Sequence, residues 1–224
     1  MDQPGDTTME RQDSESTAMA LSPQSKAVPV NYEYSVTLPD LLERFELSVL
    51  LSTYQAGRVV SLGVHHGQMW VGFAHFDQAM GLTRTATGVA VGTRQGIWSL
   101  PASQEIAPQL KPEGEKDIAF LARSYHWTGP IMVHDLAACG QRLWMVNTLF
   151  NCLATLEENW SFVPQWKPSF ISKIAPGDRC HLNGLATSED GQTPAYVTAL
   201  GESDAENGWR ERKATGGCLI EVST

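Results

Sequence analysis

The sequence lacks any long uninterrupted apolar stretch. No segment approaches the roughly 20 apolar residues that a helix needs to cross a bilayer. The N-terminus also lacks a basic flank followed by an apolar run, which is the pattern of a secretory signal. These two absences predict a cytoplasmic protein with no part embedded in a membrane.

Positive charge is scarce as well. The chain has 16 Lys and Arg against 25 Asp and Glu, which gives a formal net charge of −9, and no basic stripe runs along it. A protein of this charge is repelled by phosphate backbones and by anionic lipid surfaces. We therefore expect neither nucleic acid nor a membrane as partner, which leaves a small molecule or another protein.

Cysteine is infrequent, and familiar catalytic motifs are missing. The four cysteines match neither the paired Cys-x-x-Cys spacing of metal sites nor a dense disulfide scaffold, so we expect reduced, packed thiols. The sequence has no Gly-x-Ser-x-Gly elbow, His-Glu-x-x-His pair, P-loop or dinucleotide-binding glycine fingerprint. These absences leave open whether the chain is an enzyme.

What is present suggests a tail followed by a domain of strands. Residues 1–33 are polar and poor in aromatic and β-branched side chains, which predicts a disordered tail. From Leu38 the segment LPDLLERFE predicts a short helix. Beyond it, alternating apolar residues and Gly-containing turns predict strands near 47–53, 58–64 and 68–74.

Three later segments can be aligned with a repeat of about 50 residues. Their first strands begin at Gly81-Leu82, Asp135-Leu136 and Gly184-Leu185. Their second strands are VAVGT, LWMVNT and AYVTA, and their third strands are IWSL, CLATL and CLIEV. Several short strands in each unit are typical of a β-propeller. We predict an all-β fold in which residues 34–224 form β-propeller blades.

The length of the chain sets the expected number of blades. Residues 34–224 provide three to four blades at about 50 residues each, whereas closed propellers have about four to eight. An unclosed propeller would expose edge strands. The chain is therefore expected to be the incomplete, N-terminal part of a longer propeller.

Four aromatic residues at similar strand positions are expected to fill the space between blades: Trp70, Trp98, Trp144 and Tyr196.

The candidate metal ligands come from the same alignment. The innermost strand of each blade begins beside the central channel, so the residues just before the aligned pairs, Met80, His134 and Asn183, are expected to converge. An imidazole and an amide oxygen suit a divalent cation, either calcium or a transition metal. We predict His134 and Asn183 as metal ligands. A hydrogen-bonded histidine and a turn asparagine are the alternatives.

Four further residues are predicted to bind a ligand. His181 lies two positions before Asn183, and Asn147 ends a strand at a turn, where capping of the backbone is the alternative role. Trp209 and Arg210 lie in the long polar insertion GESDAENGWRERKATGG. This insertion is predicted to be a loop, and a lid over the channel is one hypothesis for it.

Two resemblances accompany these patterns. The segments NGLA, EDG and YVT after Cys180 resemble a blade of the gluconolactonase, senescence-marker and strictosidine-synthase-like six-bladed propellers. That resemblance implies a channel cation, usually calcium, with Asn183 as a ligand. The longer pattern TGPIMVHDLA, NTLFNCLATL, CHLNGLA and GWRERKATGGCLIEV resembles an uncharacterised bacterial family of conserved hypothetical proteins, a domain of unknown function.

Two functions remain open from the sequence. The first is a metal-assisted hydrolase of lactones or esters, in which the ion polarises a carbonyl and activates water. The second is a propeller without catalytic activity that binds a small molecule or a protein. The scarcity of channel carboxylates favours binding, whereas the expected convergence of His134 and Asn183 favours a chemical site.

Overall fold

Antiparallel β-strands dominate residues 30–222, the part of the chain that the structure, a computed structural model, describes. Residues 1–29, which make up most of the predicted disordered tail, lie outside the described residues. The compact unit begins at Val36. No helix in the described part is long and apolar enough to span a bilayer.

The first helix and the first sheet agree with the sequence pattern. Helix α1 spans Leu38–Arg44. The first sheet is a meander of β1 (Val49–Thr53), β2 (Arg58–His65) and β3 (Gln68–His75). The three predicted strands are therefore correct to within two residues. His66 and Gly67 have positive φ angles of 51° and 72°, as a two-residue hairpin turn requires.

The remaining strands form three further antiparallel sheets. The second sheet contains β4 (Leu82–Arg84), β5 (Gly88–Gly92), β6 (Gly96–Ser103), β7 (Ala119–Phe120) and β8 (Ser124–Trp127), of which β7 and β8 both pair with β6. The third contains β9 (Val133–Cys139), β10 (Arg142–Asn147), β11 (Cys152–Glu157) and β12 (Trp160–Trp166). The fourth contains β13 (Leu182–Thr187), β14 (Pro194–Ala199) and β15 (Cys218–Glu221).

The aligned segments of the sequence are equivalent strands in these sheets. The first segments correspond to β4, β9 and β13, the second to β5, β10 and β14, and the third to β6, β11 and β15. Strands β4 and β13 both pack against β9. The long polar insertion is the loop between β14 and β15, as predicted, and it contains a short 3-10 helix, Gly208–Arg212.

Three apolar clusters join the sheets in chain order. One cluster lies between the first and second sheets, the next between the second and third, and the last between the third and fourth. Strand β10 contributes to two of them, because Met145 packs in the middle cluster and its neighbour Val146 in the last. Successive side chains of a strand point to opposite faces. Each central sheet is therefore covered on both faces.

Two of the four aromatic residues expected between sheets pack there. Trp98 packs against the first cluster and Trp144 against the last. The prediction for Tyr196 is wrong, because its side chain is 43% exposed. Val197, the next residue of β14, is the one that points into the last cluster. Trp70 is half-buried, with the Lys116 ammonium 4.5 Å from its ring centroid.

Polar contacts as well as packing join β9 to β13 and join β1 to the residue before β4. The Asp135 carboxylate on β9 accepts a hydrogen bond from Leu185 N–H of β13 at 2.9 Å. Its other oxygen accepts from Leu136 N–H at 2.8 Å, and burial raises the pKa of this carboxyl group. On the other side, the Ser52 hydroxyl at the end of β1 donates to Met80 O, just before β4. The starts of β4, β9 and β13 and the end of β1 thus meet in one region.

A turn of the third sheet holds the loop that leads into the fourth. Asn151, in the turn between β10 and β11, is fully buried, and its Oδ1 accepts hydrogen bonds from Arg179 N–H at 2.6 Å and Cys180 N–H at 3.2 Å. The Thr148 hydroxyl of the same turn donates to Leu182 O at 2.6 Å. These buried contacts fix where β13 begins relative to β10 and β11.

Replacement of Asn151 tests this connection. Asn151→Ala leaves two buried N–H groups without an acceptor and puts Ala at a φ of 58°, so we expect a loss of about 3–5 kcal/mol in the free energy of unfolding. Asn151→Gly should lose about 1 kcal/mol less, because glycine adopts this φ without strain. Urea denaturation measures both.

Asn207→Ala is the matched control. Asn207 also has a left-handed φ, 54°, but it is exposed. This variant should lose only about 1 kcal/mol. An Asn151→Ala variant that is no less stable than Asn207→Ala would show that the buried acceptor contributes little.

Candidate functional site

The loop that carries the candidate site precedes β13 and is bonded on two sides. Gly177 N–H and Asp178 N–H both donate to Leu149 O at 3.1 Å, in the turn of the third sheet. On the other side, Asn207 N–H donates to Gly177 O at 3.0 Å, and Leu200 N–H donates to Cys180 O at 3.1 Å. The loop is therefore held between the third sheet and the insertion after β14.

Four residues around this loop have left-handed backbone conformations that side chains disfavour. Their φ angles are 59° for Met132, 58° for Asn151, 43° for Asp178 and 52° for His181. Each such residue costs on the order of 1–2 kcal/mol, and it persists where the surrounding contacts dictate it. Conformations of this kind cluster at functional sites. Asp178 and His181 lie in the loop before β13, whereas Met132 directly precedes β9 and Asn151 directly precedes β11.

A buried carboxylate orients one of the two histidines. Asp178 is 5% exposed, and its Oδ2 accepts hydrogen bonds from His181 Nδ1–H at 2.8 Å and from Trp209 Nε1–H at 3.1 Å. The His181 ring lies against the Trp209 ring, with a centroid distance of 4.2 Å. Because Asp178 accepts from Nδ1–H, the uncharged form of His181 carries its lone pair on Nε2. Both rings are thereby fixed in position.

The second histidine packs edge-on against the first. The ring centroids of His134 and His181 are 4.7 Å apart at an interplanar angle of 88°. His134 Nδ1–H donates to Asn183 Oδ1 at 3.2 Å, so the lone pair of neutral His134 also lies on Nε2. Burial is the largest cause that lowers the pKa of His134 below 6.5, and the neighbouring His181 lowers it further. His134 is therefore uncharged at neutral pH.

His134 forms part of the wall of a small open cleft of about 90 Å³. The cleft lies where the starts of β4 and β9 and the end of β1 meet, and its other walls include Tyr54, Gln78, Met80, Arg94 and Met132. A larger groove of about 1020 Å³ lies between α1 and the first two sheets, but it contains none of the predicted site residues. The larger groove is lined by charged residues such as Glu115, Lys116 and Asp117, whereas the smaller cleft is bordered by His134 and Arg94.

The structure brings three of the six predicted site residues together. His134 and Asn183 are 49 positions apart in the sequence and form a direct hydrogen bond, as the repeat alignment predicted for their positions. His181 joins them through its ring contact with His134. Met80, the equivalent residue of the second sheet, lines the same cleft.

The other three predicted residues have supporting or separate positions. Trp209 is 5% exposed and donates a hydrogen bond to the Asp178 carboxylate. Arg210 is exposed, and its guanidinium carbon lies 4.5 Å from the Trp209 ring centroid. Asn147 is fully buried and caps its turn through a hydrogen bond from Phe150 N–H at 3.0 Å. Its Nδ2 amide has no hydrogen-bond partner among residues 30–222. Ligand binding by these three residues stays a prediction.

Sequence reasoning missed Asp178 and Arg94. The spacing of Asp178 and His181, three residues apart in GDRCH, was the available signal for an oriented imidazole. Arg94 lies in the turn between β5 and β6, and no local pattern connects it with His134, 40 positions later. Only the packing of the second sheet against the third brings these two residues to one cleft.

The donors present fit a metal ion only in part. Among residues 30–222, no group of three or more His, Cys, Asp or Glu residues is arranged to hold an ion. His134 Nδ1 and Asn183 Oδ1 bond each other, so a shared ion would have to displace that hydrogen bond.

The cysteines are unpaired, and burial raises the pKa of Cys152 and of Cys180 to about 12. Those two thiols are therefore protonated at neutral pH.

The lowered pKa of His134 predicts a dependence of stability on pH. As the pH falls below 6.5, the unfolded chain binds a proton at this residue before the folded chain does, so the folded state loses stability. Urea denaturation between about pH 8 and pH 5.5 should show a smaller loss for His134→Gln than for wild type. His66→Gln, at an exposed histidine, is the control and should follow wild type. Identical pH dependence in His134→Gln and wild type would contradict the assignment.

Comparison with known proteins gives one family. No curated protein matches the chain. The family described as Domain of unknown function (DUF4915) matches residues 36–224, which includes all the strands and the whole candidate site. The chain therefore belongs to the family Domain of unknown function (DUF4915).

Proposed function

We propose that this chain is a propeller-type protein that binds a small molecule where the ends of its innermost strands meet. The propeller arrangement is supported by the order of the four sheets, which follow one another along the chain. Each sheet packs on the next through an apolar cluster. The contacts of β4 and β13 with β9 support it further, because inner strands of adjacent blades are neighbours around a channel.

The observation that carries the proposal is the oriented, uncharged imidazole of His134 in the wall of the cleft. Asn183 Oδ1 accepts the hydrogen bond from His134 Nδ1–H. The His181 ring, which a hydrogen bond to Asp178 orients, packs against the His134 ring. The side chains of Met80 and Met132 add apolar surface to the same cleft. A small number of fixed polar groups among apolar walls is typical of a site for a small molecule.

Hydrolysis of a small ester or lactone is the second candidate function. A neutral histidine with its Nδ1–H held and its Nε2 lone pair free is the form that a general base requires. In such a reaction Nε2 would take a proton from water, the resulting hydroxide would add to the carbonyl carbon, and the proton would pass to the leaving oxygen as its bond to carbon breaks. The metal-assisted version remains a proposal, with His134 and Asn183 as the residues that would hold the ion.

Binding is tested by saturation-transfer NMR with a mixture of small polar fragments. We expect wild type to bind some of them, with signals reduced at least about tenfold in His134→Ala and unchanged in His66→Ala. Dialysis against a chelator should leave the signals unchanged. Fragments that bind His134→Ala as well as wild type would place the binding site elsewhere and contradict the proposal.

Elemental analysis of the same samples, purified without chelator, distinguishes the metal-assisted version. The metal-assisted version predicts about one divalent ion per chain in wild type and none in a variant that combines His134→Ala with Asn183→Ala. That result would show that the site holds a metal ion. If neither protein holds an ion and both are folded, the metal-free site is supported.

A catalytic role is tested with phenyl acetate and γ-butyrolactone as simple ester and lactone substrates. If His134 is the base, His134→Gln should lower kcat by about 10²–10⁴-fold, because the proton acceptor is lost. Asn183→Ala should lower it less, since Asn183 only positions the imidazole. Wild-type rates equal to those of His134→Gln would exclude hydrolysis of these substrates by His134 and leave binding as the function.

A further inference from the structure

We propose that the cleft beside His134 recognises a carboxylate group of its ligand and that Arg94 is the residue that binds it. This inference rests on the proposed function and names the class of ligand. The chemical class is a small molecule with one carboxylate and an apolar body.

The charge of the cleft differs from that of the whole chain. The chain carries a formal net charge of −9, yet the lining of this cleft contains Arg94 and no Asp or Glu. The uncharged His134 adds no charge to the wall. An anion approaching the protein is repelled by its mean field, so a cation in a cleft lining without carboxylates is what makes this cleft able to accept one.

The backbone of Arg94 is fixed, whereas its guanidinium group makes no ion pair in the described part of the chain. Arg94 N–H donates to Asp77 O at 3.0 Å, and Thr93 N–H donates to Gly96 O at 2.8 Å across the turn. Among residues 30–222, no carboxylate oxygen lies within 4.0 Å of a guanidinium nitrogen of Arg94. The guanidinium is therefore an available cation on a rigid support.

The rest of the lining suits a carboxylate with an apolar body. A guanidinium presents two parallel N–H groups that match the two oxygens of a carboxylate. The lining also includes the polar residues Tyr54 and Gln78 and the apolar residues Met80 and Met132. A phosphate dianion has more charge than one arginine neutralises, so the lining favours the monoanion.

Hexanoate and hexanamide are the matched probes, since they have chains of the same length and differ in the charge of the head group. Saturation-transfer NMR titrations of the full chain should show that wild type binds hexanoate at least about tenfold more tightly than hexanamide. Arg94→Gln should reduce this ratio to about two or less. Arg94→Lys should retain part of it, because the charge is kept and the paired N–H geometry is lost. Arg142→Gln, at an exposed arginine outside the cleft lining, is the control and should behave as wild type.

Four results would overturn the inference. Equal binding of the two probes by wild type would remove carboxylate recognition while leaving a small-molecule site in place. A preference for hexanoate that survives in Arg94→Gln would show that Arg94 is not the residue that binds the carboxylate. Inorganic phosphate that displaces hexanoate at equal concentration would indicate a general anion site. Absence of binding by either probe would also reject the inference, and the fragment experiment with His134→Ala decides the proposed function separately.

Discussion

The candidate site depends above all on one buried amide oxygen. Oδ1 of Asn151 accepts the N–H groups of Arg179 and Cys180, and thereby ties the loop before β13 to the turn between β10 and β11. Without this acceptor, two N–H groups would be buried without partners, and the left-handed conformations at Asp178 and His181 would lose a main support. The oriented imidazoles follow from that support.

Each further layer of the site is built on this loop. Asp178 is placed by the backbone bonds to Leu149, and it in turn fixes the rings of His181 and Trp209. His181 then supports His134, whose other contact is Asn183. Only the last of these side chains, His134, borders the cleft. The candidate site thus presents one imidazole to the cleft, and a series of contacts behind it holds that imidazole in place.

The sequence predicted the parts of this arrangement that follow from periodicity. Alternating apolar residues marked the strands, and the repeat of about 50 residues placed His134 and Asn183 at equivalent positions, which meet as expected. The role of Asp178 and the position of Arg94 were not predictable, because they depend on loop conformations and on packing between sheets. Tyr196 was misplaced because alternation on β14 fixes which neighbours share a face but not which face is covered.

The histidine contacts have a consequence for how the sheets are related. His134 begins on the third sheet, whereas His181 and Asn183 belong to the loop and first strand of the fourth. The distance between the two rings therefore depends on the relative position of the third and fourth sheets, because a displacement of one sheet along the other would separate the rings. A shift of the fourth sheet relative to the third would therefore change the orientation of His134, the side chain of this group that borders the cleft.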